Sequence, residues 1–180
     1  MRTHWDALLD ALVRERYPRL VAHAALVAGS RTQAHDLVQE SLVATFSSRA
    51  RFENVDQAEA YVRRAIASRF VDRVRASVRE RDARKRIAAR RAEPVVQPPL
   101  GLSADLVRAL GALPPRVRAC IALRYLDDLS IHETALTLGL SDGAVKRYTA
   151  DGIAALDAAL GTTTAPDPEV LSVLEVRHGA

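Results

Sequence analysis

Cysteine is almost missing from this 180-residue sequence: Cys120 stands alone. One cysteine excludes an intramolecular disulfide, and the five histidines (His4, His23, His35, His132, His178) are scattered, with no Cys/His cluster at zinc-ligand spacing. Aromatic residues make up 4% of the chain, and no long alternating apolar pattern appears, which argues against a β protein. No apolar run approaches the roughly 20 residues of a membrane span. Asp6 and Asp10 fall inside the first helical pattern, which argues against a secretory signal. No Ser/His/Asp arrangement or phosphate loop stands out. The expectation is a cytoplasmic, non-catalytic chain with no metal and no cofactor.

What is present is Ala, Leu, Val and Arg, mostly helix-favouring residues, within a 48% hydrophobic composition that excludes a wholly disordered chain. The reading is all-α. The net charge of +4 is unevenly spread. Between Arg63 and Arg91 there are 12 Arg/Lys against 3 Asp/Glu, a net of +9, whereas residues 1–62 carry −1 and residues 92–180 carry −4. One basic segment suits a polyanionic partner, although a solvated basic helix would look the same.

Helical periodicity predicts a first helix from about Trp5 to Ala28, with Leu8, Leu9, Leu12 and Val13, then Leu20, Val21, Ala24 and Ala25, on its stripe. Pro18 should kink it or begin a new helix, and Gly29 stops it. Ser30 and Gln33 are spaced as a capping box for a second helix, Arg31 to Ser47. Ala34, Leu37, Val38, Leu42 and Phe46 form its apolar stripe, and Asp36, Gln39 and Glu40 lie off it as an acidic face. A loop from Ser48 to Asp56 precedes a third helix that runs to about Ala89. Pro94, Pro98 and Pro99 cannot continue a helix, so Glu93 to Leu102 reads as a linker.

The reading is therefore two small helical domains joined by a flexible linker: residues 1–92, a linker at 93–102, residues 103–160, and a tail at 161–180. The second domain shows four short helices. Ser103 caps the first, Pro114 and Pro115 open the second, Ser130 with Glu133 caps the third, and Ser141 caps the fourth. Val117, Cys120, Ile121 and Tyr125 are expected to be core. Ser130 to Leu156 has the helix-turn-helix pattern: small Ala135 permits close helix approach, and Gly139 supplies a positive φ in the turn. The last helix is then free to enter a major groove, with Lys146 and Arg147 toward DNA. A plain helical hairpin would share this pattern.

Two stretches carry a family resemblance. Leu110 to Tyr125, with its Leu113-Pro114-Pro115-Arg116 opening, resembles the fourth conserved region of sigma-70-type factors, as does Gly139 to Lys146. Ala34-His35-Asp36-Leu37-Val38-Gln39-Glu40, and the helix from Tyr61 to Arg75, resemble that family's second region. Tyr61, Ser68, Ala144 and the acidic Asp151 depart from its usual pattern. The short length points to the extracytoplasmic-function group, so the halves are expected to be a region 2 domain and a region 4 domain.

The resemblance implies roles. Asp36, Gln39 and Glu40 would dock on the β′ clamp helices of core RNA polymerase. Phe52 and Asn54 would capture a base of the −10 element, although Phe52 could equally be core. Arg63, Arg64, Arg69, Arg73 and Arg75 would hold strand phosphates. Ser141, Asp142, Lys146, Arg147 and Thr149 would face the −35 element. The implied partners are core RNA polymerase, including its β flap, promoter DNA and an anti-sigma factor, with no membrane span. Two other readings share these features: a free-standing helix-turn-helix regulator, and a sigma-like interaction protein without promoter recognition.

Overall fold

The computed structural model describes residues 4–48, 50–83 and 101–163. Among the described residues seven helices follow one another: α1 (His4–Ala28), α2 (Arg31–Ser47), α3 (Val55–Ala83), α4 (Ala104–Ala112), α5 (Pro115–Tyr125), α6 (Ile131–Leu138) and α7 (Asp142–Leu160). No strand occurs among the described residues. The all-α expectation holds. The tail from residue 164 onward, the end of the third helix beyond Ala83 and most of the linker lie outside the described residues.

Local chemistry sets the helix ends. The Ser103, Ser130 and Ser141 hydroxyls accept from the backbone N–H three residues on, at 3.2 Å in each case. Glu133 returns the bond to the Ser130 N–H at 2.9 Å, completing a capping box that holds its carboxyl below the usual range. At Ser30 only the hydroxyl half is formed, accepting from the Gln33 N–H at 3.4 Å. Gly139 ends α6 with φ 59°, a left-handed backbone where any side chain would strain the turn.

α1 runs through Pro18 as a single helix, so no new helix begins there. Pro18 is exposed, so the carbonyl it leaves unpaired faces water rather than a dry core. Tyr125 also differs: it is 45% exposed, because the core face of α5 ends at Leu123.

Two apolar clusters hold the helices. The larger joins Leu12, Leu20 and Val27 of α1, Leu37 and Val38 of α2, and Val62, Ile66 and Val71 of α3. It continues without a break into Leu123, Leu138 and Val145 of the C-terminal half. The smaller gathers Val107, Leu110, Leu113, Val117 and Ile121, together with Leu26 of α1. α5 therefore has two buried faces. Val117 and Ile121 serve the smaller cluster, while Ala119, Cys120, Ala122 and Leu123 belong to the cluster shared with α1–α3.

Polar contacts cross the same boundary. Arg118 of α5 donates from Nε to the Val27 carbonyl at 2.8 Å and from Nη2 to the Ala28 carbonyl at 3.0 Å. These are terminal carbonyls of α1 that no intrahelical N–H can reach, at the negative end of the helix dipole. Burial pulls the Arg118 pKa down to about 10, which leaves it cationic at neutral pH. Gly29 makes room for it: a Cβ there would lie 2.8 Å from Arg118 Nη1.

Candidate nucleic-acid interface

α3 carries more arginines than any other described helix, and its packing decides which of them face solvent. Ile66, Phe70 and Val71 turn into the core, leaving Arg64, Ser68, Arg69 and Arg73 along the side that faces α2. There α2, α3 and α6 enclose an open groove of about 770 Å³. Arg64, Arg69, Arg73 and Ser68 line its α3 wall, Glu40 stands on α2, and Leu136 and Thr137 of α6 close one side. Against the carboxylates of Glu40 and Asp72 the three arginines leave the lining net positive, and with a hydroxyl and an exposed ring it can hold a phosphodiester strand with a base against the ring.

The ring is Tyr61, 40% exposed at the groove, although its helical spacing with Val62, Ala65 and Ile66 reads as an apolar position on the stripe of the third helix. Phe52 is the correction. It is 7% exposed, stacked on Trp5 with rings 5.3 Å apart and 3° from parallel, and flanked by Phe46 and Tyr61. Its faces are used by neighbours, so it is a core residue here and leaves no surface for a base. Asn54 is exposed, and its Oδ1 accepts from the Gln57 N–H at 2.9 Å, capping α3.

The five arginines do not share one environment. Arg64 is exposed and Arg69 half-buried on the groove wall. Arg73 pairs with Glu40 at 2.5 Å, and that bond holds the Glu40 carboxyl below its ordinary range. Arg63 is turned away into an ion cluster, 2.9 Å from Glu59 and 3.2 Å from Asp127. Arg75 donates to the Leu138 and Gly139 carbonyls in the helix-turn-helix turn, at 2.7 and 3.1 Å. Asp36 and Gln39 are exposed on α2, on the same side of the helix as Glu40.

In the helix-turn-helix, α6 and α7 pack through Ala135, Leu138 and Val145. Ser141 and Asp142 are exposed at the start of α7, and Asp142 lies 3.4 Å from His132. Arg147 is exposed with its guanidinium 5.1 Å from the Tyr148 ring centroid, and Lys146 is half-buried. Thr149 is the second correction: it is fully buried, so it cannot face a duplex. Three positions after Lys146 and four after Val145, it lies on the inward side of the helix.

Among the described residues no group of three or more His, Cys, Asp or Glu could hold a metal ion, and no helix is long and apolar enough to cross a membrane.

A groove walled by the α3 arginines and a capped helix-turn-helix define a DNA-binding class of helical protein. Comparison with known proteins makes this specific. The family model described as Sigma-70 region 2 matches residues 12–80, and that described as Sigma-70, region 4 matches residues 103–156. The chain is 32% identical over 143 residues to the ECF RNA polymerase sigma factor SigE of Mycolicibacterium smegmatis, covering 76% of this chain. It is 28% identical over 137 residues to the RNA polymerase sigma-E factor of Streptomyces coelicolor, covering 76% of this chain and 77% of that protein. It spans only 55% of the length of the SigE relative. The fold resembles that of the sigma factor RpoE crystallised with the anti-sigma factor NepR from Bartonella quintana. The TM-score there is 0.58 at 22% identity, over 88% of this chain and 94% of that one. The chain belongs to the sigma-70 family, in its extracytoplasmic-function group.

Proposed function

We propose that the chain is an RNA polymerase sigma factor that binds core polymerase and directs promoter-specific initiation from the cytoplasm, the polymerase performing all the chemistry. The observation that carries this reading is the pairing of a basic groove on α3 with an exposed, capped α7 N-terminus in one chain. The first suits an opened strand and the second suits duplex DNA. A free-standing regulator needs only the second.

Arg64, Arg69 and Arg73, with Tyr61 beside them, are the strand-facing set supported by the groove. Arg63 and Arg75 join them if the two halves separate, and Asn54 is exposed already. Ser141, Asp142, Lys146 and Arg147 are the set for the −35 duplex, where Lys146 or Arg147 can donate to guanine O6 and N7. Asp36, Gln39 and Glu40 form an acidic edge suited to the β′ clamp helices, and region 4 would meet the β flap. The anti-sigma partner of the RpoE neighbour makes such a protein a reasonable regulator here as well.

Run-off transcription with core enzyme on a pool of genomic fragments tests the reading. The expected result is promoter-specific transcripts that require the chain. Asp36→Arg should weaken core binding about tenfold, since a cation against a basic coiled coil costs on the order of 1–2 kcal/mol. Lys146→Ala with Arg147→Ala should reduce initiation while core binding persists. Core binding without any specific transcript would favour a sigma-like interaction protein, and DNA binding without core binding would favour a free-standing regulator.

A further inference from the structure

α4, α5 and α7 leave between them an apolar groove of about 200 Å³. Leu106 and Leu110 of α4, Ile121 of α5, and Ile153 and Leu156 of α7 line it, with the half-exposed Tyr125 beside them. Every side chain in the lining is apolar or aromatic. A cavity of about 150 Å³ accepts a benzene ring, so this groove has room for two leucine side chains.

The chain that follows α7 starts next to it. α7 ends at Gly161, whose φ of 65° turns the backbone off the helix axis. The Thr162 N–H bonds back to the Asp157 carbonyl at 3.1 Å, and its hydroxyl donates to the Asp157 carboxylate at 2.7 Å. This turn lies one helical turn past Leu156, about 6 Å along the axis from the groove. Residues 164–180 lie outside the described residues, and their sequence carries a full set of helix signals. Asp167 is of N-cap type, Pro168 suits the first helical position, and Glu169 puts negative charge in the first turn. Arg177 and His178 suit a last turn, and Gly179 a stop. Between these ends Val170, Leu171, Val173 and Leu174 share one side at helical spacing, with Ser172 and Glu175 on the other. A helix this short is marginal in water alone and needs an apolar surface to form against.

We propose that residues 168–178 dock as a further helix in the α4–α5–α7 groove of their own chain, with Leu171 and Leu174 as the inserted side chains. The six residues from Thr162 to Asp167 span up to about 20 Å. That exceeds the usual helix-to-helix spacing of about 8–10 Å, so the tether reaches. Tethering gives the segment a local concentration of roughly millimolar, which a second copy or a separate partner helix at ordinary concentration does not match. A partner that uses this groove has to displace the segment first.

The test traps the contact as a disulfide in the full chain. Tyr125→Cys with Val173→Cys puts one thiol at the groove and one at the edge of the apolar stripe, leaving Leu171 and Leu174 in place. Val43→Cys with Val173→Cys is the control, because Val43 is exposed on α2. Cys120 is fully buried and stays out of the reaction. In a glutathione buffer the groove pair should close at least about tenfold faster than the control pair. Adding Leu171→Asp and Leu174→Asp should bring the groove pair down to the control rate. Both positions lie outside the seven described helices, and circular dichroism checks that the fold persists. Equal rates for the two pairs would overturn the proposal, as would a groove pair indifferent to the two aspartates. A disulfide that joins two chains on a non-reducing gel would also overturn it and assign the groove to a second copy.

Discussion

Thr149 shows how one residue's surroundings decide its role. Its hydroxyl is buried without a hydrogen-bond partner, on the inward side of α7. An unpaired buried hydroxyl costs about 1–3 kcal/mol, and a methyl of the same shape carries no such penalty. Thr149→Val should therefore raise stability by about 1 kcal/mol and leave duplex binding unchanged. Urea melts and a gel shift on −35 DNA check the two halves of that expectation, and a loss of DNA affinity would return Thr149 to the interface. Phe52 makes the same point from the other side. An aromatic residue in a short loop beside a basic helix suits base capture by type, but Trp5, forty-seven positions earlier in the sequence, already occupies its face.

At the level of elements, most of the fold was legible. A period of 3.6 residues in the apolar positions marked all seven described helices, and four serine caps fell where spacing put them, because capping is a contact across three residues. The exposure of Asp36, Gln39 and Glu40 follows from the same periodicity. What sequence could not give were contacts between distant turns. Gly152 is one. It sits inside α7, where glycine weakens a helix, and nothing nearby in sequence explains it. In the structure a Cβ there would lie 2.7 Å from Ile121 Cγ1 and 2.9 Å from Val117 Cγ1. Glycine lets α7 close on α5. Alanine would gain roughly 1 kcal/mol of helix propensity and lose about 1–3 kcal/mol to overpacking. Gly152→Ala should therefore lower stability by about 1 kcal/mol. A thermal melt that moved upward would mean that α5 can shift to accept the methyl.

For the whole molecule, the boundary between the halves was the least legible feature. The proline-rich stretch announces two domains, but a core shared across them depends on pairs about a hundred positions apart. His23 of α1 and Asp127, beyond α5, are such a pair, with Nε2 and Oδ2 3.5 Å apart and both side chains nearly inaccessible. Burial, aided by the Arg63 charge, lowers the His23 pKa from 6.5 to about 3. Burial raises that of Asp127 from 3.8 to about 6, although Arg63 pulls the other way. The two shifts act on stability with opposite signs. Below pH 6.5 an unfolded chain takes up a proton at His23 that the folded form refuses, so acidification destabilises the fold. Below about pH 6 the folded form takes up a proton at Asp127 that the unfolded chain accepts only near 3.8, so acidification stabilises it. Between those values the proton counts nearly match and the pair makes stability flat. Below about pH 4 Asp127 is protonated in every state, and only the His23 loss remains until about pH 3, at roughly 1.4 kcal/mol per pH unit. Asp127→Asn removes the compensating proton. Its stability should therefore start to fall already near pH 6.5, where the parent chain is level, and His23→Asn made in addition should abolish the extra slope. Urea midpoints measured from pH 7 to 4 on the three proteins decide it: parallel curves would mean that the pair is hydrated and that the two halves do not close over it.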